Sequence, residues 1–581
     1  MSTREVAAPT GIAVNDTAAI ISAIAAATVN GDMVKFAAGI YLINAQILLM
    51  SNRVYFSTDG TIIRAAAASS IDWMFKQAGT FTDHRGGIAI SGITFDANQA
   101  LCPLLPGRGI LDIANHPTNY GYTIENCTFL NSRRWAMAMT NASATVASNL
   151  RNLTFDYCDA GLLMSVVGVM QNIHLEDVTI SHYNYIDPIA GTQIAIGIQN
   201  TGGDSDNITL STSAHPLILN NERSARFGIE VTNVAYYSHK RILLDGAIFN
   251  KSGNHVDAAG VGFSGGRITD STFSNCRFNC DVGNVDGNFH RQGFEIFGSG
   301  NVIENNSGTN WGITVDASAG SVSTNNIIRN NSFEMNSTGG YSNVTVIGVG
   351  GQNATSNCND FLIEHNSINF VPDGSANVYG NGILVGLGAS PPGAINNCVI
   401  RQNTLTGIAT KGIATRTGGS GKISNLAINC NSISDALTGI DQRAICAGLT
   451  VSGNVLKSNM SVGIHVESTD SKLLNNHIDA ATAMQFGSNI LGTHIISNNI
   501  SISTTYYIQN TSAVSVQSIN NFRTSTTTIG PLTSVNDTVV IDFELAADLK
   551  PLPSSPCIAA GIFVGNISDA TGMKFHISYY L

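Results

Sequence analysis

The chain is short of charge. Only 12% of its 581 residues are Asp, Glu, Lys or Arg, and the balance is acidic, with a formal net charge of −11. Phosphate contacts need clustered Lys and Arg, which argues against a nucleic-acid partner. No run approaches the ~18 apolar residues of a membrane span, so no membrane role is expected. Met1-Ser-Thr-Arg-Glu5 lacks the charged and apolar regions of a signal peptide. Tryptophan (3) and proline (13) are scarce. The ten cysteines include no CxxC pair. They read as free, buried thiols, Cys127, Cys276, Cys358, Cys398 and Cys430 all falling in or beside strand-like segments. No His/Cys/Asp set has zinc-ligand spacing. Asp281 with Asp286 is too thin a cluster for calcium. Gly418-Gly-Ser-Gly421-Lys422 lacks the pattern of a phosphate loop. No cofactor and no metal are expected.

What the chain does have is glycine (58 residues), asparagine and repetition. Gly and Asn both tolerate left-handed backbone angles, as tight turns require. One short unit recurs as Ile124-Glu-Asn-Cys-Thr-Phe129, Ile327-Ile-Arg-Asn-Asn-Ser-Phe333, Leu362-Ile-Glu-His-Asn-Ser-Ile368 and Leu473-Leu-Asn-Asn-His-Ile478. About a dozen such units follow one another at roughly 20–37 residues, the period of a solenoid. None is amphipathic at helical spacing, so the array reads as a parallel β-helix, with turn asparagines bonding from rung to rung. Upstream, Asp16 is a plausible N-cap of a helix over 18–27. Strands follow at Met33–Phe36 and Gly39–Ile43. Past residue 523 the partly alternating runs Val539–Phe543, Cys557–Val564 and Met573–Tyr580 suggest antiparallel strands. The expected division is a lead-in and capping helix over 1–45, a β-helix over 46–523, and a β-rich oligomerisation or glycan-contact domain over 524–581.

A second pattern points to a site. Arg226-Phe-Gly-Ile-Glu230-Val and Arg291-Gln-Gly-Phe-Glu295-Ile are near-copies, and Asn310-Trp-Gly-Ile-Thr314-Val is a third. Similar cores start at Gly382, Gly412, Gly439 and Gly463. Side chains alternate along a strand, so Ile229, Val231, Phe294 and Ile296 should point inward. Arg226, Gly228, Glu230, Arg291, Gly293 and Glu295 should then form an outer trough with bare glycines on its floor. The outward column reads Glu230, Glu295, Thr314, Leu384, Ala414, Asp441, His465. Glycoside hydrolysis needs paired carboxylates, ~5 Å apart for retention and ~6.5–9.5 Å for inversion. With a rung supplied by Gly262-Phe-Ser264 between them, Glu230 and Glu295 lie ~9.6 Å apart; without it, ~4.8 Å. Two solvated glutamates paired with arginines of neighbouring rungs are the competing reading. Asp286 and Asp316 are further acid candidates, with Asp245, Asp257 and Glu304 behind them. Arg226 and Arg291 could clamp an acidic sugar. His255 and His290 could orient substrate or move a proton. Tyr236, Tyr237, Phe289 and Trp311 are candidates for stacking on sugars, although parity points Trp311 inward.

Asn15-Asp-Thr-Ala-Ala-Ile20 with Gly31-Asp-Met-Val-Lys-Phe-Ala-Ala-Gly39-Ile-Tyr-Leu42 resembles the opening of pectin-lyase-like right-handed β-helix proteins, in which a helix caps the first rung. With the repeats and the β-rich tail added, the whole order resembles phage tailspike depolymerases. This resemblance implies an all-β right-handed parallel β-helix and a homotrimer. It also implies cleavage of bacterial capsule or O-antigen by hydrolysis or β-elimination. By the same resemblance the protein sits on a virion tail, outside the cell, beside other tail proteins. The chain departs from that pattern in lacking a long anchoring head domain. A non-catalytic glycan-binding spike is the third class left open.

Overall fold

The computed structural model describes the chain except for residues 68, 79–86, 99–107, 114–120, 141–146, 167–169, 184–193, 201–202, 222–226, 234–236, 252–262, 281–292, 318–320, 336–344, 352–355, 372–378, 387–392, 408, 416–422, 444–445, 525–527, 531, 536–537, 540–561, 565–576 and 580–581. The only α-helix among the described residues is Ala13–Ala26. All else that is regular is strand, and the strands pair in parallel in long ladders. This is an all-β parallel β-helix with a helix at its N-terminal end. It forms two compact units, Met1–Ile296 with Asn306–Trp311, and Phe297–Asn305 with Gly312–Leu581.

The helix starts earlier than the sequence suggests, and Asp16 is not its N-cap. Ile12 holds that position without a side-chain bond. Asp16 instead lies buried in the first turn. Its carboxylate accepts from the Thr10 amide and hydroxyl, each at 2.7 Å, and from the Leu42 amide at 3.0 Å. One acid thereby fastens both the lead-in and the strand Gly39–Ile43 to the helix.

In the first unit the inward positions carry large side chains stacked in register. Phe95, Phe129 and Phe155 are cross-strand partners, and their rings stack with centroids 5.4 and 4.8 Å apart. Phe278 stacks on Trp311 at 4.6 Å and meets Phe294 edge-on.

In the second unit the repeated turn resolves into two positions with different work. The first takes a left-handed φ: Asn305, Asn330, Asn475, Asn498 and Asn520 stand near +55°, and His365, Gln402, Cys430 and Gly453 fill the same place. The second is a buried asparagine. Asn331, Asn366, Asn403, Asn431, Asn454, Asn476, Asn499 and Asn521 form one ladder, each passing an Nδ2–H and a backbone N–H to the Oδ1 of the next. Nothing but a primary amide supplies both donor and acceptor at this spacing. Cys430 is therefore a half-exposed turn residue, not the core thiol expected. Cys127, Cys158, Cys276, Cys358, Cys398 and Cys446 are free and buried.

Parallel pairing continues past residue 523. Val516–Ile519 pairs with Leu532–Val535, and Phe522–Arg523 with Thr538–Val539. The antiparallel character expected of the tail is seen where Ile562–Val564 pairs with Ile577–Tyr579.

Candidate functional site

Cross-strand register converts the Gly-Ile-x-Val pattern into columns. In the first unit the x position runs Lys76, Asp112, Ala138, Leu163, Gly197, Glu230, Ser264, each opposite the next. In the second it runs Thr314, Gly348, Leu384, Ala414, Asp441, His465, Gln485, Gln509. The column read from sequence lacked Gly348, because Thr345–Gly351 carries Val346-Ile347 where the pattern has Gly-Ile.

Glu230 is half-buried, opposite Ser264 of the strand Phe263–Thr269. That strand pairs with Phe294–Ser299, which carries half-buried Glu295. One strand therefore separates the two glutamates, and two strand spacings amount to ~9.6 Å.

The glycines of the motif do not form the trough floor. Gly293 is buried, and a Cβ there would come 2.6 Å from the Trp311 ring and 3.0 Å from Phe278. Gly412 and Gly439 likewise face the carbonyl of the next rung, at 2.6 and 2.8 Å. At this position glycine makes room for the rung beside it, although Gly412 and Gly439 lie inside strands. Gly197, a glycine of the column itself, is directly opposite Glu230 and is buried. A Cβ on Gly197 would meet the Trp135 indole at 2.8 Å, so that half-buried ring lies over the outer face of the sheet beside Glu230. The sequence reading passed over Trp135. Its only signal was an aromatic outside the recurring pattern.

Farther along the same column, Lys76 Nζ lies 3.7 Å from Asp112 Oδ2. Burial pushes the Asp112 carboxyl up, opposed by that lysine. Arg134 pairs with Asp72 and sits 5.7 Å from the centre of the Trp73 ring.

The second unit holds a denser polar cluster. Asp441 is fully buried and takes Lys411 at 2.5 Å, Arg443 at 2.7 Å and His465 Nδ1 at 2.8 Å. Burial pushes its carboxyl up, but the bonds from His465, Lys411 and Arg443 outweigh this and hold it well below the usual range. With Nδ1 on Asp441, Nε2 is the ring nitrogen of His465 turned away from that carboxylate. Glu467 Oε1 lies 3.6 Å from that nitrogen. Glu467 is itself held by the Gln442 side chain and Asn489. Asp441 and His465 were legible as column members. Lys411, Arg443 and Glu467 came only with the fold.

Several expected site residues need correction. Trp311 is 1% exposed and belongs to the aromatic core, so it cannot stack on a sugar. Asp316 is 5% exposed, with Oδ1 accepting from the Ala317 amide, and sits close enough to Cys358 to push that thiol up. It is no surface acid. Asp245 bonds Ser213, Ser274 and Asn275, and Glu304 pairs with Arg329; both serve ladders away from the x column. Arg226, Arg291, His255, His290, Asp286 and Tyr236, together with Asp257 and Phe289, lie outside the described residues.

No family model matches the chain, and no curated protein does. Solved structures do. PfbA, a surface adhesin of Streptococcus pneumoniae, aligns at 15% identity over 85% of this chain and 90% of its own, with a TM-score of 0.34. DFA-IIIase from Arthrobacter chlorophenolicus, in complex with DFA-III, aligns at 13% identity over 70% and 93%, with a TM-score of 0.34. Gene product 12 of bacteriophage phi29, in its pre-mature form, aligns at 13% identity over 91% and 72%, with a TM-score of 0.32. The chain is a parallel β-helix protein, as its own strand pairing establishes. No helix among the described residues is long and apolar enough to cross a membrane.

Proposed function

We propose that the protein is a polysaccharide depolymerase that cleaves a bacterial surface glycan, capsule or O-antigen, by hydrolysis between Glu230 and Glu295. What supports this reading is the single strand between the two that carry these glutamates, since two strand spacings of ~9.6 Å lie at the wide limit of the inverting range. In that geometry one carboxylic acid protonates the glycosidic oxygen while the other carboxylate activates a water on the opposite face. Trp135 over Gly197 adds an aromatic surface one strand from Glu230, where a sugar ring can stack. In this reading the protein acts outside the cell as a homotrimeric spike on a virion tail, its partners the glycan and other tail proteins.

A second reading is favoured by the Asp441–His465 contact. A histidine oriented by a buried aspartate can take the proton next to a uronate carboxyl, and β-elimination follows. Both readings are tested on purified polysaccharides from typed bacterial strains, following reducing ends and the ultraviolet absorbance of unsaturated uronates. Glu230→Gln and Glu295→Gln should each lower turnover by about 10² or more, with the fold unchanged. Trp135→Ala should weaken binding more than turnover. Full activity in both Gln variants, with His465→Gln inactive and absorbing products formed, would transfer the chemistry to the second unit. Binding without product from any glycan would make the protein an adhesin.

A further inference from the structure

The N-terminal cap exposes an unusual share of large apolar side chains. Of the twelve large hydrophobic residues exposed among those described, eight lie in the first fifty positions: Met1, Ile12, Val14, Ile21, Val29, Ile40, Leu48 and Met50. Ile21, Leu48 and Met50 of these line one groove together, and contiguous apolar surface of this kind marks interaction sites.

The pattern on the helix is specific. Its inner face is Asp16, Thr17, Ile20, Ala23 and Ile24. On the outside, Val14, Ala18, Ile21 and Ala25 are all exposed, spaced four, three and four residues apart. That is the seam spacing by which one helix packs on another, and the two alanines permit close approach. Beside the seam runs a groove of about 440 Å³ lined by Ile21, Ala25, Leu48 and Met50. The one charged residue lining it, Arg53, is buried, with its guanidinium spent on Ala27 O, Ser51 O, Asn52 O and the Asn30 side chain. The helix itself exposes no charge, since its one ionisable residue, Asp16, is buried.

We infer that this face is a homotypic interface, occupied by the same helix of another copy of the chain. A seam of this period needs a helix opposite it. An uncharged surface can meet its own copy with no like-charge repulsion, and it offers a charged partner nothing to pair with. The inference names a self-contact for the oligomer proposed above and does not depend on the glycan chemistry.

Disulfide trapping in the full-length protein tests it. Under mild oxidation Ile21→Cys and Ala25→Cys should each give covalent dimers in high yield, with Val322→Cys, exposed on a strand of the second unit, as the background control. Adding Ile21→Glu to Ala25→Cys should cut the trapped fraction at least about tenfold, with the circular dichroism and melting temperature of the parent. Trapping no greater than that of Val322→Cys would overturn the inference, as would a trapped fraction that Ile21→Glu leaves unchanged.

Discussion

Replacing Asn431 by alanine interrupts the asparagine ladder at its middle. The side chain is fully buried, and its Nδ2 donates to Ile400 O, Asn429 O and Asn454 Oδ1, at 3.0, 3.1 and 3.0 Å. Its Oδ1 accepts from the Asn403 amide and Nδ2, each at 3.0 Å. Alanine leaves the Asn403 amide without its acceptor, takes one acceptor from Asn403 Nδ2, and removes a donor from Ile400 O and one of two from Asn454 Oδ1. A buried unsatisfied group costs about 1–3 kcal/mol, so the loss should total about 3–5 kcal/mol. Asn330→Ala makes the contrast. That side chain is exposed, and its φ of +56° is the constraint, so the cost is about 1–2 kcal/mol. Amide hydrogen exchange reads both locally, because a solenoid rung contacts only its neighbours. The amide of Asn403 should exchange about 10²–10³-fold faster in Asn431→Ala, and the melting temperature should fall more than in Asn330→Ala. Equal losses in the two variants would refute the division of labour between the paired turn positions.

Two further predictions follow from packing and titration. Gly412→Ala places a Cβ 2.6 Å from both the Gly439 carbonyl and Ile433, and should cost about 1–3 kcal/mol or more in thermal stability. An unchanged melting temperature would mean that this position is not sterically fixed. His239 is fully buried against Ser205 Oγ at 2.6 Å, and burial pushes its pKa from 6.5 down to about 4, opposed by a bond to the Thr232 backbone. The folded state then binds its proton less readily than the unfolded state. Stability is full above pH 6.5 and declines as pH falls toward about 4, by up to about 3 kcal/mol. Urea titrations across that window should show a shallower decline in His239→Gln; identical slopes would refute it.

The sequence by itself determined that the chain is a capped parallel solenoid. That follows from one turn repeated at irregular but short intervals, with apolar residues two apart on either side, and from the absence of any competing helical period. It also lined up Glu230, Asp441 and His465 as x-position residues of their strands, but not that Asp441 and His465 would be buried there. Only the tertiary structure decided what lies next to what. The rungs differ in length, so neighbours across a sheet cannot be counted from chain position, and Gly348 and the Lys411–Asp441–Arg443 contacts appear only with the register. Alternation did not show which side chains cover the glycines: Gly293 faces Trp311, while Gly197, unnoticed in the sequence, lies buried beneath Trp135 and opposite Glu230.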